Sequence, residues 1–107
     1  MRPRKCRLVR SSPTARFFKP RGVPLRDIEI VKLKDEEYEA ILLADYKGLE
    51  QEEAARLMGI SRPTFSRTLS SARKAVAKAL AEGSALEIDG GDFARIGETA
   101  PDTGETN

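Results

Sequence analysis

The side chains best suited to chemistry cluster between Ser61 and Lys78. Arg62 and Arg67 carry planar guanidinium donors, which fit a phosphate or the O6 and N7 atoms of guanine. Ser61, Thr64, Ser66 and Ser70 add short hydroxyls that can bond base edges or phosphates. Lys74 and Lys78 lie further along and suit the nucleic-acid backbone. From Ser61 to Ala81 there are five basic residues and no acid. Ordinary exposed helices mix charges of both signs, so an acid-free stretch over this length favours nucleic-acid contact over a merely solvated face.

These groups need rigid elements to position them, and the stretch QEEAARLMGISRPTFSRTLSSARKAVAK (51–78) supplies them. It reads as a short helix, a tight turn and a longer basic helix over 61–82. Ala55 is small where two helices cross. Gly59 ends the first helix in a left-handed conformation that glycine adopts at low cost. Ile60 gives the turn an apolar plug. Ser61 is placed to cap the next helix, and Pro63 is tolerated in its first turn, where backbone N–H groups have no intrahelical partner. At about 100° per residue, Phe65, Leu69, Ala72, Val76 and Ala79 form one apolar stripe, with Arg67, Lys74 and Lys78 nearly opposite. Arg62 and Arg73 border the stripe and can fold back to pair with a carboxylate. Gln51, in the first turn of the shorter helix, has two readings: a phosphate contact or a plain surface glutamine.

At 107 residues the chain fits one small domain with tails and a modest core. Its net charge of +2 hides segregated blocks: residues 1–26 hold nine basic residues and no acid, and residues 27–60 hold ten acids against four bases. A chain so divided can present a positive surface despite near-neutral totals. There is no histidine, and Cys6 is the single cysteine. That excludes His-based acid–base catalysis, zinc fingers and disulfides within one chain. Cys6 is expected to be a reduced structural thiol, and no cofactor or metal is expected. No apolar run approaches the ~20 residues of a membrane span, and no secretory signal follows MRPRKC, so a cytoplasmic, nucleoid-associated protein is expected.

Along the chain, residues 1–26 read as a basic, proline-punctuated arm, with a short strand at 6–9 and FFKPRGVPL packing across the domain. The cations Arg2, Arg4, Lys5, Arg7 and Arg10 either lie along DNA or form a solvated start. Residues 27–93 form the domain proper. IEIVKL (28–33) is β-branched and predicts a strand. A helix opens at Lys34 or Asp35, with Asp35, Glu36 and Glu37 complementing its dipole from the surface. Tyr38, Ile41, Leu42 and Tyr46 predict its buried stripe, and Gly48 ends it. These acids point in different directions and are not expected to converge for catalysis. ALEI (85–88) predicts a strand that pairs with 28–33. Residues 94–107 read as a disordered acidic tail.

FFKPRGVPL, residues 34–46, GLEQEEAARLMGISRPTFSRTLSSARKAVAKAL and LEIDGG together resemble a family of small, uncharacterised prokaryotic proteins predicted to bind DNA. Their helix-turn-helix is similar to that of the fourth region of bacterial sigma factors, within the winged-helix-like DNA-binding group. The resemblance spans roughly residues 5–91, and the RPTFSR run within it is quite specific. It implies a mainly α fold: a three-helix, sigma-region-four-like domain with short flanking β-strands. By analogy, Arg62, Pro63, Thr64, Ser66 and Arg67 face the major groove. A sigma factor proper is not expected, because the chain is too short for the promoter −10 and core-polymerase regions. Some relatives carry further cysteines near the N-terminus; with Cys6 alone, no metal role is expected.

The expected function is sequence-specific binding of double-stranded DNA by a transcriptional regulator that is not an enzyme. One motif has a small footprint, so a homodimer is expected, through the alanine face of residues 75–81 or the strands. The alternative is a protein-interaction module that docks on RNA polymerase or another transcription factor through an acidic 35–53 surface.

Overall fold

Phe65, Met58 and Leu69 are among the largest fully buried side chains, and they mark where three helices meet. The computed structural model describes residues 7–91 and 93–95. Its elements are β1 (Arg7–Val9), β2 (Phe17–Phe18), β3 (Ile30–Leu33), α1 (Asp35–Ile41), α2 (Gln51–Leu57), α3 (Arg62–Glu82), β4 (Ala85–Ile88) and β5 (Phe93–Arg95). About half of the described residues are helical, with a small sheet on one side.

α3 joins the two parts. Its first half contributes Phe65 and Leu69 to a core with Ala40, Leu43, Ala54, Ala55 and Met58. Its second half lies over the sheet, where Ala72 packs with Leu33 and Ile88. The expected stripe Phe65–Leu69–Ala72–Val76–Ala79 is the inward face of this helix, with Val76 half-buried. Gly83, at φ +66, ends α3 in the left-handed region.

The sheet runs β2–β4–β3. β3 and β4 pair, as expected for the two apolar runs, and the pairing is parallel, from Ile30↔Ala85 to Leu33↔Ile88. A parallel pair needs a long crossover, and here the whole helical unit is that crossover. β2 adds antiparallel to β4, with Phe18 opposite Leu86. Phe17 and Phe18 thus dock on the body, but at the sheet edge: they remain 38% and 51% exposed.

Three expectations need correction. The helix after Lys34 does not run evenly to Tyr46, because Leu42–Tyr46 is a π-helical turn in which Lys47 N–H donates to Leu42 O at 2.8 Å. The wider turn inserts an extra residue and shifts the apolar register. Ala40 and Leu43 are buried, while Tyr46 is 81% exposed.

Second, the acids of α1 are not surface groups. Asp35, Glu36, Glu37 and Glu39 are all buried. Arg16 donates to both oxygens of Asp35 at 3.2 and 2.8 Å, and Ser11 N–H donates to Glu39 Oε1 at 3.3 Å. Glu37 accepts from Lys34 N–H at 2.9 Å and from Ser71 Oγ.

Third, the described part of the expected arm is woven into the body. Val9 is fully buried, Leu8 N–H donates to Met58 O at 3.0 Å, and Ile88 N–H donates to Arg16 O at 2.9 Å. β1 pairs with β5, so Ala94 and Arg95 belong to a strand rather than to the tail. Cys6, the cations before it and the rest of the expected tail, 96–107, lie outside the described residues.

Two substitutions test this packing. Phe65→Ala is expected to cost about 3–5 kcal/mol in chemical denaturation, the usual range for a large core aromatic. Gly59 sits at φ +66, and a Cβ there would stand 3.3 Å from Leu8 Cδ1. Gly59→Ala is therefore expected to lower stability by about 1–3 kcal/mol.

Candidate functional site

The exposed cations and hydroxyls of α3 depend on how the turn before it is built. Ala54 and Ala55 are buried and let α2 approach α3 closely. Gly59 reverses the chain in the left-handed region, Ile60 N–H donates to Ala55 O at 3.1 Å, and Ile60 packs against the helical core. Ser61 caps α3 as its sequence position predicts: its Oγ accepts from Thr64 N–H at 3.3 Å. Pro63 occupies the first turn without loss of a helical hydrogen bond.

A short hydroxyl network organises the start of α3. Ser61 Oγ donates to Thr64 Oγ1 at 3.0 Å, and Thr68 Oγ1 donates to Thr64 O at 2.9 Å. Arg67 Nη2 lies 3.5 Å from Thr64 Oγ1, a weak contact. Ser61, Arg62, Pro63, Ser66, Arg67, Ser70, Lys74 and Lys78 are all exposed; Thr64 is half-buried, as is Gln51 at the first position of α2.

The cations divide by their partners. Arg73 folds back onto Asp45, with Nη2 at 2.6 Å from Oδ1 and Nε at 3.1 Å from Oδ2. Lys78 donates to Glu82 Oε1 at 2.8 Å, an exposed pair of neighbouring helical turns. Among the described residues, Arg62, Arg67 and Lys74 pair with no carboxylate. Arg62 therefore does not fold back as Arg73 does. An outward row of two guanidiniums, an ammonium and several hydroxyls can bind anions and hydrogen-bond acceptors.

Sequence reasoning missed the neighbours of Arg67. It lines a cleft of about 180 Å³ with Arg7, Lys34, Glu36, Glu37 and Ser71. These residues come from β1, the α1 entry and α3, and no sequence spacing links them. Further along α3, Leu80 is 79% exposed beside a groove of about 560 Å³ lined by Phe18, Val76, Ala79 and Leu86. Val76, Ala79 and Leu80 fall within residues 75–81, one of the two places where a dimer contact is expected. Among the described residues, no group of three or more Cys, Asp and Glu is arranged to hold a metal ion, and no helix is long and apolar enough to cross a membrane.

A small, half-helical domain with an exposed basic helix face is thus the class of protein at hand. Residues 1–96 match the family described as "Protein of unknown function DUF134", and the chain belongs to that family. It is 55% identical over 92 residues to a UPF0251 protein of Halothermothrix orenii, covering 86% of this chain and 68% of that one. A UPF0251 protein of Desulforudis audaxviator is 50% identical over 103 residues, 96% of this chain and 67% of that one. Another, from Thermoanaerobacter pseudethanolicus, is 53% identical over 92 residues, 86% of this chain and 78% of that one. The expected membership of an uncharacterised prokaryotic family is met. No solved structure matches the chain significantly.

The Arg73 hydrogen bonds hold the Asp45 carboxyl below its ordinary pKa. A depressed carboxylate stabilises the fold above its unfolded pKa and loses that contribution as pH falls through the folded value. The exposed pair is screened by solvent, so the effect on stability is small. An NMR titration is expected to show Asp45 ionising below the usual carboxylate range in the native protein and near it in Arg73→Ala. Loss of the Ser61 cap in Ser61→Ala is expected to lower stability by about 0.5–2 kcal/mol in thermal denaturation.

Proposed function

We propose that this protein is a sequence-specific DNA-binding transcriptional regulator. In this reading α2 and α3 form a helix-turn-helix similar to that of the fourth region of sigma factors, and the N-terminal half of α3 enters the major groove. The observation that carries it is the exposed, acid-free start of α3, where Arg62 and Arg67 lack carboxylate partners among the described residues while the opposite face is locked in the core. A rigid helix offering unpaired guanidiniums suits bidentate recognition of guanine.

Arg62 and Arg67 are the guanine-reading residues. Ser66 and Ser70 contact base edges or phosphates, with Pro63 and Thr64 at the groove wall and Ser61 holding the helix start. Lys74 neutralises a phosphate, and Gln51 approaches the backbone from α2. Lys78 ranks behind Lys74, because Glu82 already holds it. The protein acts without catalysis, as a homodimer on two half-sites, in the cytoplasm at the nucleoid. Docking on RNA polymerase through an acidic 35–53 surface is the weaker reading, since Asp35, Glu36, Glu37 and Glu39 are buried.

Selection from a random duplex pool tests the proposal. The native protein is expected to enrich one motif, with log affinity falling by about 0.9 per decade of salt for each phosphate neutralised. Arg67→Ala is expected to lose about 1–3 kcal/mol on that motif and to relax one position. Lys74→Ala is expected to weaken all sequences alike and to reduce the salt slope by about 0.9. Absence of any enriched motif would overturn the proposal.

A further inference from the structure

The last turn of α3 borders a groove that its own residues leave unfilled. Ala79 and Gly83 stand one helical turn apart and carry almost no side chain. Apart from chain neighbours, no atom lies within 4 Å of where a Gly83 Cβ would stand. The other walls include Phe18 of β2, Pro20 after it and Leu86 of β4. At about 560 Å³ the groove has the size of a small-molecule site. A second hollow of about 360 Å³ shares Phe18, Val76 and Leu86 with it.

Two polar side chains interrupt this apolar lining. Among the described lining residues, Lys19 is the one charged group, and no acid joins it. Lys19 Nζ donates to Pro20 O at 3.1 Å and to Val23 O, so two carbonyls hold the ammonium in place. An ammonium has three donors, and one remains for a guest. Ser84 also lines the groove. It is only 9% exposed, and its hydroxyl makes no hydrogen bond among the described residues. Leaving a buried hydroxyl without a partner is costly, and a guest with an acceptor supplies one. A cationic guest meets no acid here. A phosphate needs more donors than one ammonium N–H and one hydroxyl offer.

We propose that this groove binds a small amphipathic carboxylate. Its apolar body lies against Phe18, Val76, Leu80 and Leu86, and its carboxylate is drawn to Lys19 and Ser84. Leu80, which points largely into solvent, is covered by the guest. The bound molecule bridges the end of α3 and β2 and braces one against the other. Arg67 lies about 20 Å away along α3, so the guest does not compete with the outward cations for space. The site requires no DNA contact and goes beyond the DNA-binding reading.

The test titrates the full chain with decanoate and with 2-naphthoate, each below its aggregation threshold, and follows the backbone amides by NMR. Decanol and decyltrimethylammonium are the uncharged and cationic controls. Saturable shifts confined to residues 18–20 and 76–86 are expected with at least one carboxylate; which of the two binds distinguishes an acyl chain from an aromatic body. Lys19→Gln is expected to weaken the carboxylate about fivefold, the scale of an exposed charge pair, and to leave decanol unchanged. Leu80→Glu is expected to lose at least about tenfold through lost apolar contact and added repulsion. Leu80 is exposed, so this variant is expected to keep the native thermal melting, and Lys19→Gln decides if it does not. Absence of saturable binding by both carboxylates overturns the proposal, as does equal binding of the cationic control. Sedimentation showing a dimer that Leu80→Glu dissociates and that neither carboxylate displaces also overturns it, and assigns the groove to a second copy of the chain. None of these results bears on selection from the duplex pool, so the DNA-binding reading stands or falls separately.

Discussion

Burial of the α3 apolar stripe is the constraint on which the remaining structure depends. Phe65 and Leu69 close the helical core, and Ala72 reaches the sheet core on the same face. One helix thereby serves two packing surfaces, and its rotation about its own axis is fixed at both. An α-helix that presents one face to the core must present the other to solvent. The outward direction of Arg62, Arg67 and Lys74 follows from the depth of Phe65.

The sheet supplies a second constraint. β3 and β4 are parallel, so the chain between them must leave one end of the sheet and return to the other. The helices form that return path, which ties the sheet to α1 at its start and to α3 at its end. Residues 7–18 then wrap around the junction. Arg16 exemplifies this: its guanidinium bonds the Asp35 carboxylate and Ile88 O at 2.8 Å, joining the α1 start to β4. Buried carboxylates are tolerated only when donors meet them. Arg16, Ser11 N–H, Lys34 N–H and Ser71 Oγ are such donors, drawn from three separate parts of the chain.

Much of the region around α3 was legible because its signals are local. The Gly59 reversal, the Ser61 cap, the Pro63 position and the stripe from Phe65 to Ala79 each act within one or two helical turns, where sequence spacing maps directly onto space. The strands at 30–33 and 85–88 were legible from β-branched and apolar runs, and their pairing followed from their having no other evident partner. The π-helical turn was not legible, since nothing in LLADY distinguishes a wider turn from an α-helical one. The fates of the cations were only half legible. Arg62 and Arg73 both border the apolar stripe, yet Asp45 meets Arg73 alone, because the π-helical turn brings that carboxylate to the middle of α3.

The sequence by itself determined the short and long helices between residues 51 and 82 with the turn between them, the Ser61 cap and the apolar face, since these rest on backbone and side-chain preferences separated by three or four residues. It also determined the family, through residues shared along most of the chain. Only the tertiary structure decided that the acids of α1 are buried, that Tyr46 is exposed, and that Arg7 shares a cleft with Arg67. Those outcomes depend on pairs such as Leu8 with Met58 and Arg16 with Asp35. Residues so far apart in the chain meet only after the core has formed, and no local preference encodes where they will meet.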